Sequence, residues 1–213
     1  MKKIINLFWP VDYFFRVLSE YFFKRKLKII LEALSKRHVV VPNILIQTLI
    51  TAEDHRFYQH RGIDYIGVVR AALKRLGGKI QGASTIEQQF IRTVTGDYRR
   101  SFLRKIPEMI LARSLISFSA KNIIACRYLQ VAYFGFDMRG YKSGLRHLCR
   151  GESNPNPETA AELIARLKYP EPSSKGCKNT FQKILKRKNH ILNLMIKERI
   201  RFKDISKALV FKS

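Results

Sequence analysis

Along most of this chain apolar residues recur every three or four positions and short polar stretches interrupt them. That period buries one face of each of a series of helices. It predicts helices over roughly residues 43–54, 64–77, 84–94, 102–117, 119–134, 157–168 and 178–200. Several of these starts carry their own cap. In "STIE", Ser84 to Glu87, a hydroxyl stands three residues before a glutamate, which makes a capping box. Ser119 precedes the "AKNIIACRYL" run, and Asn156 before Pro157 supplies a cap followed by proline at the first helical position. Period-two alternation is weak, and no repeat or low-complexity segment is present. The expected fold class is all-α, with one domain over 40–213 and an amphipathic, aromatic and basic segment over 1–39.

In that first segment Ile4, Leu7, Phe8, Val11, Phe14, Phe15, Leu18, Tyr21 and Phe22 follow helical spacing. Trp9 is nearby, and Lys24, Arg25, Lys26 and Lys28 follow. Such a helix suits a membrane interface, with rings at headgroup depth and cations on anionic lipid. The same period suits a helix packed on its own protein, because periodicity does not say what covers the apolar face. Pro10 is expected to break the helix after one turn. The longest uncharged run, Val39 to Ala52, is too short to span a bilayer and contains a proline. No small-residue cleavage site follows the basic start, so a standard signal peptide is not expected. Attachment would be peripheral or interfacial.

Composition narrows the partners. A hydrophobic fraction of 46% over 213 residues is enough for a core. Forty-one Lys and Arg against sixteen Asp and Glu give +25, which favours polyanions: nucleic acid, an anionic membrane surface or a phosphate-bearing substrate. Cys126, Cys149 and Cys177 are widely spaced and odd in number, so neither a zinc site nor a disulfide framework is indicated, and buried free thiols are expected.

Three segments concentrate chemistry. In "TAEDHRFYQHRGID", Glu53 and Asp54 end an apolar helix at its C-terminus, where the helix dipole disfavours negative charge. A carboxylate kept there, its pKa raised by the dipole and an apolar surround, is suited to take a proton from a hydroxyl. A solvated helix end with a local Glu53–Arg56 pair would use the same residues. His60 reads as a hydrogen-bonded structural histidine, and Gly62 as a loop residue with positive φ. In "GASTIEQQFIRTVTGD", Gly82 and Ala83 leave the backbone open before a helix start where Ser84 and Thr85 add hydroxyls, an arrangement able to hold a phosphate or merely to cap. Gln88, Gln89 and Arg92 extend that polar face. In "RRSFLRKIPEMILARSL", Arg104 and Lys105 stand four and three residues before Glu108, so a continuous helix puts all three on one face, as an ordinary pair or a phosphate grip. Pro107 would start that helix or kink it.

Taken in this order, the segments resemble glycosyltransferase family 51, the peptidoglycan glycosyltransferases. Its first motif, E-D-x-x-F-x-x-H-x-G, is matched by Glu53, Asp54, Phe57, His60 and Gly62. Its second, G-x-S-T-I-x-Q-Q-x-x-K-N, is matched by Gly82, Ser84, Thr85, Ile86, Gln88 and Gln89, with Arg92 for the lysine and Thr93 for the asparagine. Its third, R-K-x-x-E-x-x-x-A, is matched by Arg104, Lys105, Glu108 and Ala112. The fourth, K-x-x-I-L-E-x-Y-L-N followed by Y-x-G, keeps Lys121, Ile124, Tyr128, Leu129, Tyr133 and Gly135. Ala125, Cys126 and Gln130 replace its leucine, glutamate and asparagine. The similarity runs over roughly residues 40–210.

The resemblance implies a lysozyme-like all-α fold with a small lobe that contacts the membrane. It implies polymerisation of lipid II into glycan strands with release of undecaprenyl pyrophosphate at the outer face of the cytoplasmic membrane. Glu53 would be the general base, with Glu108 as the second catalytic carboxylate. Asp54, Phe57, His60, Gly62, Ser84, Thr85, Gln88, Gln89, Arg92, Arg104, Lys105 and Lys121 would bind substrate. No organic cofactor is implied; a divalent cation, Mg or Mn, is a candidate, with Glu108 as its candidate ligand. Lipid II, the growing strand, the anionic membrane and cell-wall synthesis proteins are the implied partners, and nucleic acid is not. The alternatives are a weakly active or non-catalytic member that binds membranes or polyanions, and a lysozyme-like enzyme that cleaves glycan.

Overall fold

The computed structural model describes residues 5–36, 40–78, 82–99, 102–149, 155–173 and 178–210. Ile4 and Cys177, and the side chains of Leu7, Phe8 and Trp9, lie outside the described positions. Contacts group the chain into two compact units, one of residues up to 40 together with 53–131, the other of residues 41–52 together with 132–213.

The first unit contains α1 (Ile5–Phe22), α2 (Lys24–Ser35), a 3-10 turn (Phe57–Gln59), α4 (Tyr65–Leu76), α5 (Ile86–Thr95), α6 (Phe102–Phe118) and α7 (Lys121–Val131), while α3 (Asn43–Glu53) contributes its last residue. Its centre is α5, which packs on α2, α6 and α7. Ile86, Phe90 and Ile91 of α5 are buried, as are Leu111, Ala112 and Leu115 of α6, Ile124 and Leu129 of α7, and Phe57. The helix starts one residue later than a capping box at Ser84 requires: Thr85 is the cap, its Oγ1 accepting from the Gln88 amide at 3.3 Å. It stops at Gly96, whose φ of 66° is the left-handed ending that glycine adopts cheaply.

Both helix-interior prolines are tolerated. Pro10 does not break α1 and Pro107 does not start α6, because each removes one intrahelical bond near the helix start and the rest of the ladder persists. Helix α1 packs on α6 through an unusual face. Among its described side chains Asp12 and Ser19 are the buried ones: Ser19 Oγ lies 2.7 Å from Ser114 Oγ, and Asp12 pairs with Arg113 and Arg61. The aromatic face carrying Tyr13, Phe14, Val17, Tyr21 and Phe22 is exposed.

The second unit holds α3, α8 (Tyr141–Cys149), α9 (Pro157–Lys168), α10 (Lys178–Val210) and a small hairpin, β1 (Tyr133–Gly135) with β2 (Met138–Arg139), which packs on α8 and α9. The hairpin is absent from the helical expectation, which carried one helix to 134. The chain leaves α7 at Val131, and Asp137, at φ 58°, closes the turn in a conformation that aspartate tolerates better than most residues. Gly144 lets α8 approach α9, since a Cβ there would run into Leu163. Asn156 caps α9 as its position predicts, accepting from the Thr159 amide at 2.9 Å. Helix α7 begins at Lys121 with Ala120, not Ser119, accepting its first bond. Cys126 and Cys149 are free thiols but half-buried rather than buried.

Candidate active site

Asp54 is where α3 stops, and its side chain organises the turn that follows. Its carboxylate accepts from His60 Nε2 at 3.0 Å and from the Ile86 amide at 3.1 Å, so one residue ties the first motif to the open N-terminus of α5. Lys121 Nζ donates to the His60 carbonyl at 2.8 Å, lies 3.4 Å from His60 Nδ1 and sits 4.3 Å from the Phe57 ring centre. Gly62 has φ +84° and lies against the Ala112 backbone, leaving no room for a Cβ, while its carbonyl accepts the Thr85 hydroxyl at 2.8 Å. Arg56 pairs with Asp64 at 3.2 Å rather than with Glu53.

Glu53 is only partly buried and keeps access to solvent. Gln89 Nε2 donates to its Oε2 at 3.2 Å, and Tyr128 donates its hydroxyl to Gln89 Oε1 at 2.7 Å. The tyrosine therefore fixes which way the amide faces and aims its NH2 at the carboxylate. Burial, and then the Glu53 charge, push the Tyr128 hydroxyl far above the ordinary tyrosine range, which keeps it a donor.

The second focus is Glu108, 4% exposed. Arg92 forks onto it, with Nη2 to Oε1 at 2.9 Å and Nε to Oε2 at 3.3 Å. Arg104 bonds Oε2, and Lys105 Nζ reaches Oε1 at 3.2 Å. Lys105 also donates to Ser84 Oγ at 2.9 Å and Gln88 Oε1 at 2.8 Å. Burial acts to raise the Glu108 pKa, but the Arg92 hydrogen bond and the charges of Lys105, Arg92 and Arg104 hold it below the ordinary carboxylate value. Burial lowers the Lys105 ammonium despite Glu108, with the neighbouring arginines adding to the effect. Three cations around one carboxylate leave an excess of positive charge. Together with the Ser84 hydroxyl, that excess suits an anionic group such as a phosphate.

These contacts do not suit a divalent ion at Glu108, because each of its oxygens already receives two cationic donors. Asp54, His60 and Glu87 offer carboxylate and imidazole ligand atoms within 4.8 Å of one another. The cation among them is Lys121, 2.8 Å from Glu87 Oε1.

The transglycosylase family profile matches residues 30–196. The chain belongs to that family, the peptidoglycan glycosyltransferases of family 51. It is 32% identical over 124 residues to a monofunctional glycosyltransferase of Staphylococcus haemolyticus, covering 58% of this chain and 46% of that protein. Penicillin-binding protein 1B of Buchnera aphidicola is 34% identical over 179 residues, 81% of this chain and 23% of its own length. Penicillin-binding protein 1A of Rickettsia bellii is 26% identical over 200 residues, 92% and 24% respectively. The chain thus spans about half of the first relative and about a quarter of the other two.

The residues of the first three motifs lie within the first unit, as does Lys121, while Tyr133 and Gly135 of the fourth belong to the second. Glu53, Gln89, Ser84, Arg92, Arg104 and Lys105 are half-buried and keep access to solvent. Asp54, Phe57, His60, Gly62, Thr85 and Gln88 are buried, and the Lys121 ammonium faces the buried Glu87. Of the fourth-motif departures, Gln130 accepts from Arg127 at 2.8 Å, and Ala125 is buried. Glu87 is the residue that motif matching passes over. It reads as a capping partner, yet it is completely buried against Lys121.

Proposed function

We propose that this chain is a peptidoglycan glycosyltransferase that extends glycan from lipid II, with Glu53 as general base. The observation that carries the reading is a carboxylate aimed by the Gln89–Tyr128 relay and carried on the same helix scaffold as a cation cluster suited to pyrophosphate. Glu53 takes the proton from the 4-hydroxyl of the incoming sugar. The oxygen then forms a bond to the anomeric carbon of the growing strand as the bond to the lipid pyrophosphate breaks. Arg92, Arg104 and Lys105 take up the charge that develops on the leaving group, the kind of preorganised stabilisation that contributes most in a site shielded from water. Glu108, held ionised by its three partners, serves to orient them. Both Glu108 oxygens are taken up by those cations, so it is not free to act on a water or an anomeric carbon, which disfavours the two-carboxylate route to glycan cleavage.

Membrane attachment would be interfacial. Among the described residues no helix is long and apolar enough to cross a membrane. The exposed aromatic face of α1 has a counterpart on α4, where Tyr65, Ile66, Val69, Leu73 and Leu76 form one exposed stripe beside Arg70, Lys74 and Arg75. The decisive experiment is polymerisation of labelled lipid II in detergent, with products resolved by length. Wild type should make long glycan and Glu53→Gln should lose roughly 10²- to 10⁴-fold in rate. Folded wild type that binds lipid II without making polymer would overturn the reading.

A further inference from the structure

Glu87 occupies a variable place in the family's second motif, and no motif assigns it a role. Its side chain is 0% exposed, and its Oε1 lies 2.8 Å from Lys121 Nζ. A fully buried carboxylate persists only with a partner, and breaking such a pair from one side leaves the other charge stranded. The Glu87 oxygens take no hydrogen bond, so the contact is an ion pair, and Lys121 directs its hydrogen bonds to His60, on the carbonyl at 2.8 Å and toward Nδ1 at 3.4 Å. An ammonium can only donate, so its approach to Nδ1 favours the tautomer in which that nitrogen presents its lone pair. His60 Nε2, 3.0 Å from both Asp54 oxygens, then carries the proton. The geometry thus selects one neutral tautomer of His60, and that tautomer fixes Asp54.

From Asp54 the constraint reaches Glu53 by two routes. The backbone of Asp54 follows Glu53 directly, and its Oδ2 takes the Ile86 amide of α5, the helix whose Gln89 holds the Glu53 carboxylate at 3.2 Å. We propose that Glu87 is a positioning residue for the general base, acting through Lys121, His60 and Asp54. A buried charge on α5 is held against α7 so that the imidazole of the first motif has a single orientation, and Glu53 projects from a fixed turn. The activity consequence rests on the polymerase reading above; the tautomer consequence does not.

The test compares wild type, Glu87→Gln and the double variant Glu87→Gln/Lys121→Met, each measured for thermal stability, for kcat and KM on lipid II, and for the 15N shifts of His60 in histidine-labelled protein. Wild type should show a single neutral His60 with the proton on Nε2. Glu87→Gln should lose that signature and lower kcat by roughly 10- to 100-fold with KM nearly unchanged, the cost of a slightly misplaced base. The double variant removes both buried charges and should regain stability while kcat stays low. Recovery of kcat together with stability would make Glu87 a packing residue and overturn the proposal. So would an unchanged His60 tautomer in Glu87→Gln. Wild type without polymerase activity would defeat the functional reading while the His60 spectrum still decided the role of Glu87.

Discussion

Glu108 shows what a residue's neighbours do to its chemistry. Taken alone it is a carboxylate on a helix; between Arg92, Arg104 and Lys105 it is an ionised counter-charge whose pKa lies below its ordinary 4.5. A depressed carboxylate pKa adds stability that is fully present above the unfolded value and is lost as pH falls through the folded value. Wild type should therefore melt higher than Glu108→Gln at neutral pH, and the gap should shrink once pH drops below about 4. Melting curves across pH check this, and a gap that persisted unchanged into acid would contradict the depressed pKa. The spacing of Arg104, Lys105 and Glu108 was legible in the sequence because three and four residues make one helical face. No spacing puts Arg92 with them, since it arrives from a different helix, and only the family resemblance pointed to it. The role of Glu87 was not legible: a glutamate three residues after a serine satisfies the capping pattern whether or not its side chain turns back, and burial decided that it does not.

At the scale of elements, α5 is the organiser, carrying Gln89 to Glu53, Gln88 to Lys105, Arg92 to Glu108 and Glu87 to Lys121. Its start is anchored by Thr85 on the Gly62 carbonyl and by Asp54 on the Ile86 amide. Gly62→Ala tests that anchor. The new methyl would strike the Ala112 backbone at φ +84°, so the variant carries left-handed strain of roughly 1–2 kcal/mol plus an overpacking cost of about 1–3 kcal/mol. Denaturant unfolding should show a loss in that range, with glycan synthesis falling alongside it; a neutral result would mean the loop can move away from α6. Most helix positions followed from periodicity, but α2 and α8 were not among the expected helices, and boundaries shifted by a residue or more wherever a cap was misjudged, as at Thr85 and Ala120. The hairpin at Tyr133–Arg139 escaped because strands of three and two residues are too short to show a period.

At the scale of the molecule, charge and apolar surface act together. The chain carries +25, and two helices of its first unit expose apolar faces, with Tyr21 at 80% and Leu76 at 86% exposure. Binding to anionic vesicles should weaken as salt is raised, because screening shortens the reach of the charge to about 8 Å at physiological ionic strength. Changing Phe14, Tyr21 and Phe22 to serine should weaken binding at every salt concentration, and Leu73 and Leu76 to serine should do the same. Vesicle sedimentation checks both, and binding indifferent to the serine variants would leave charge alone as the attachment.

By itself the sequence determined the helical class, most of the helices and the identity of the motif residues, since each follows from periodicity or spacing along one dimension. Only the tertiary structure decided which motif residues face solvent and which brace them from within. It also decided that α1 packs through Asp12 and Ser19 and leaves its aromatic face open. An amphipathic pattern separates two faces but carries no information about which one a neighbouring helix will cover; here the buried ion pair to Arg113 chose the polar one.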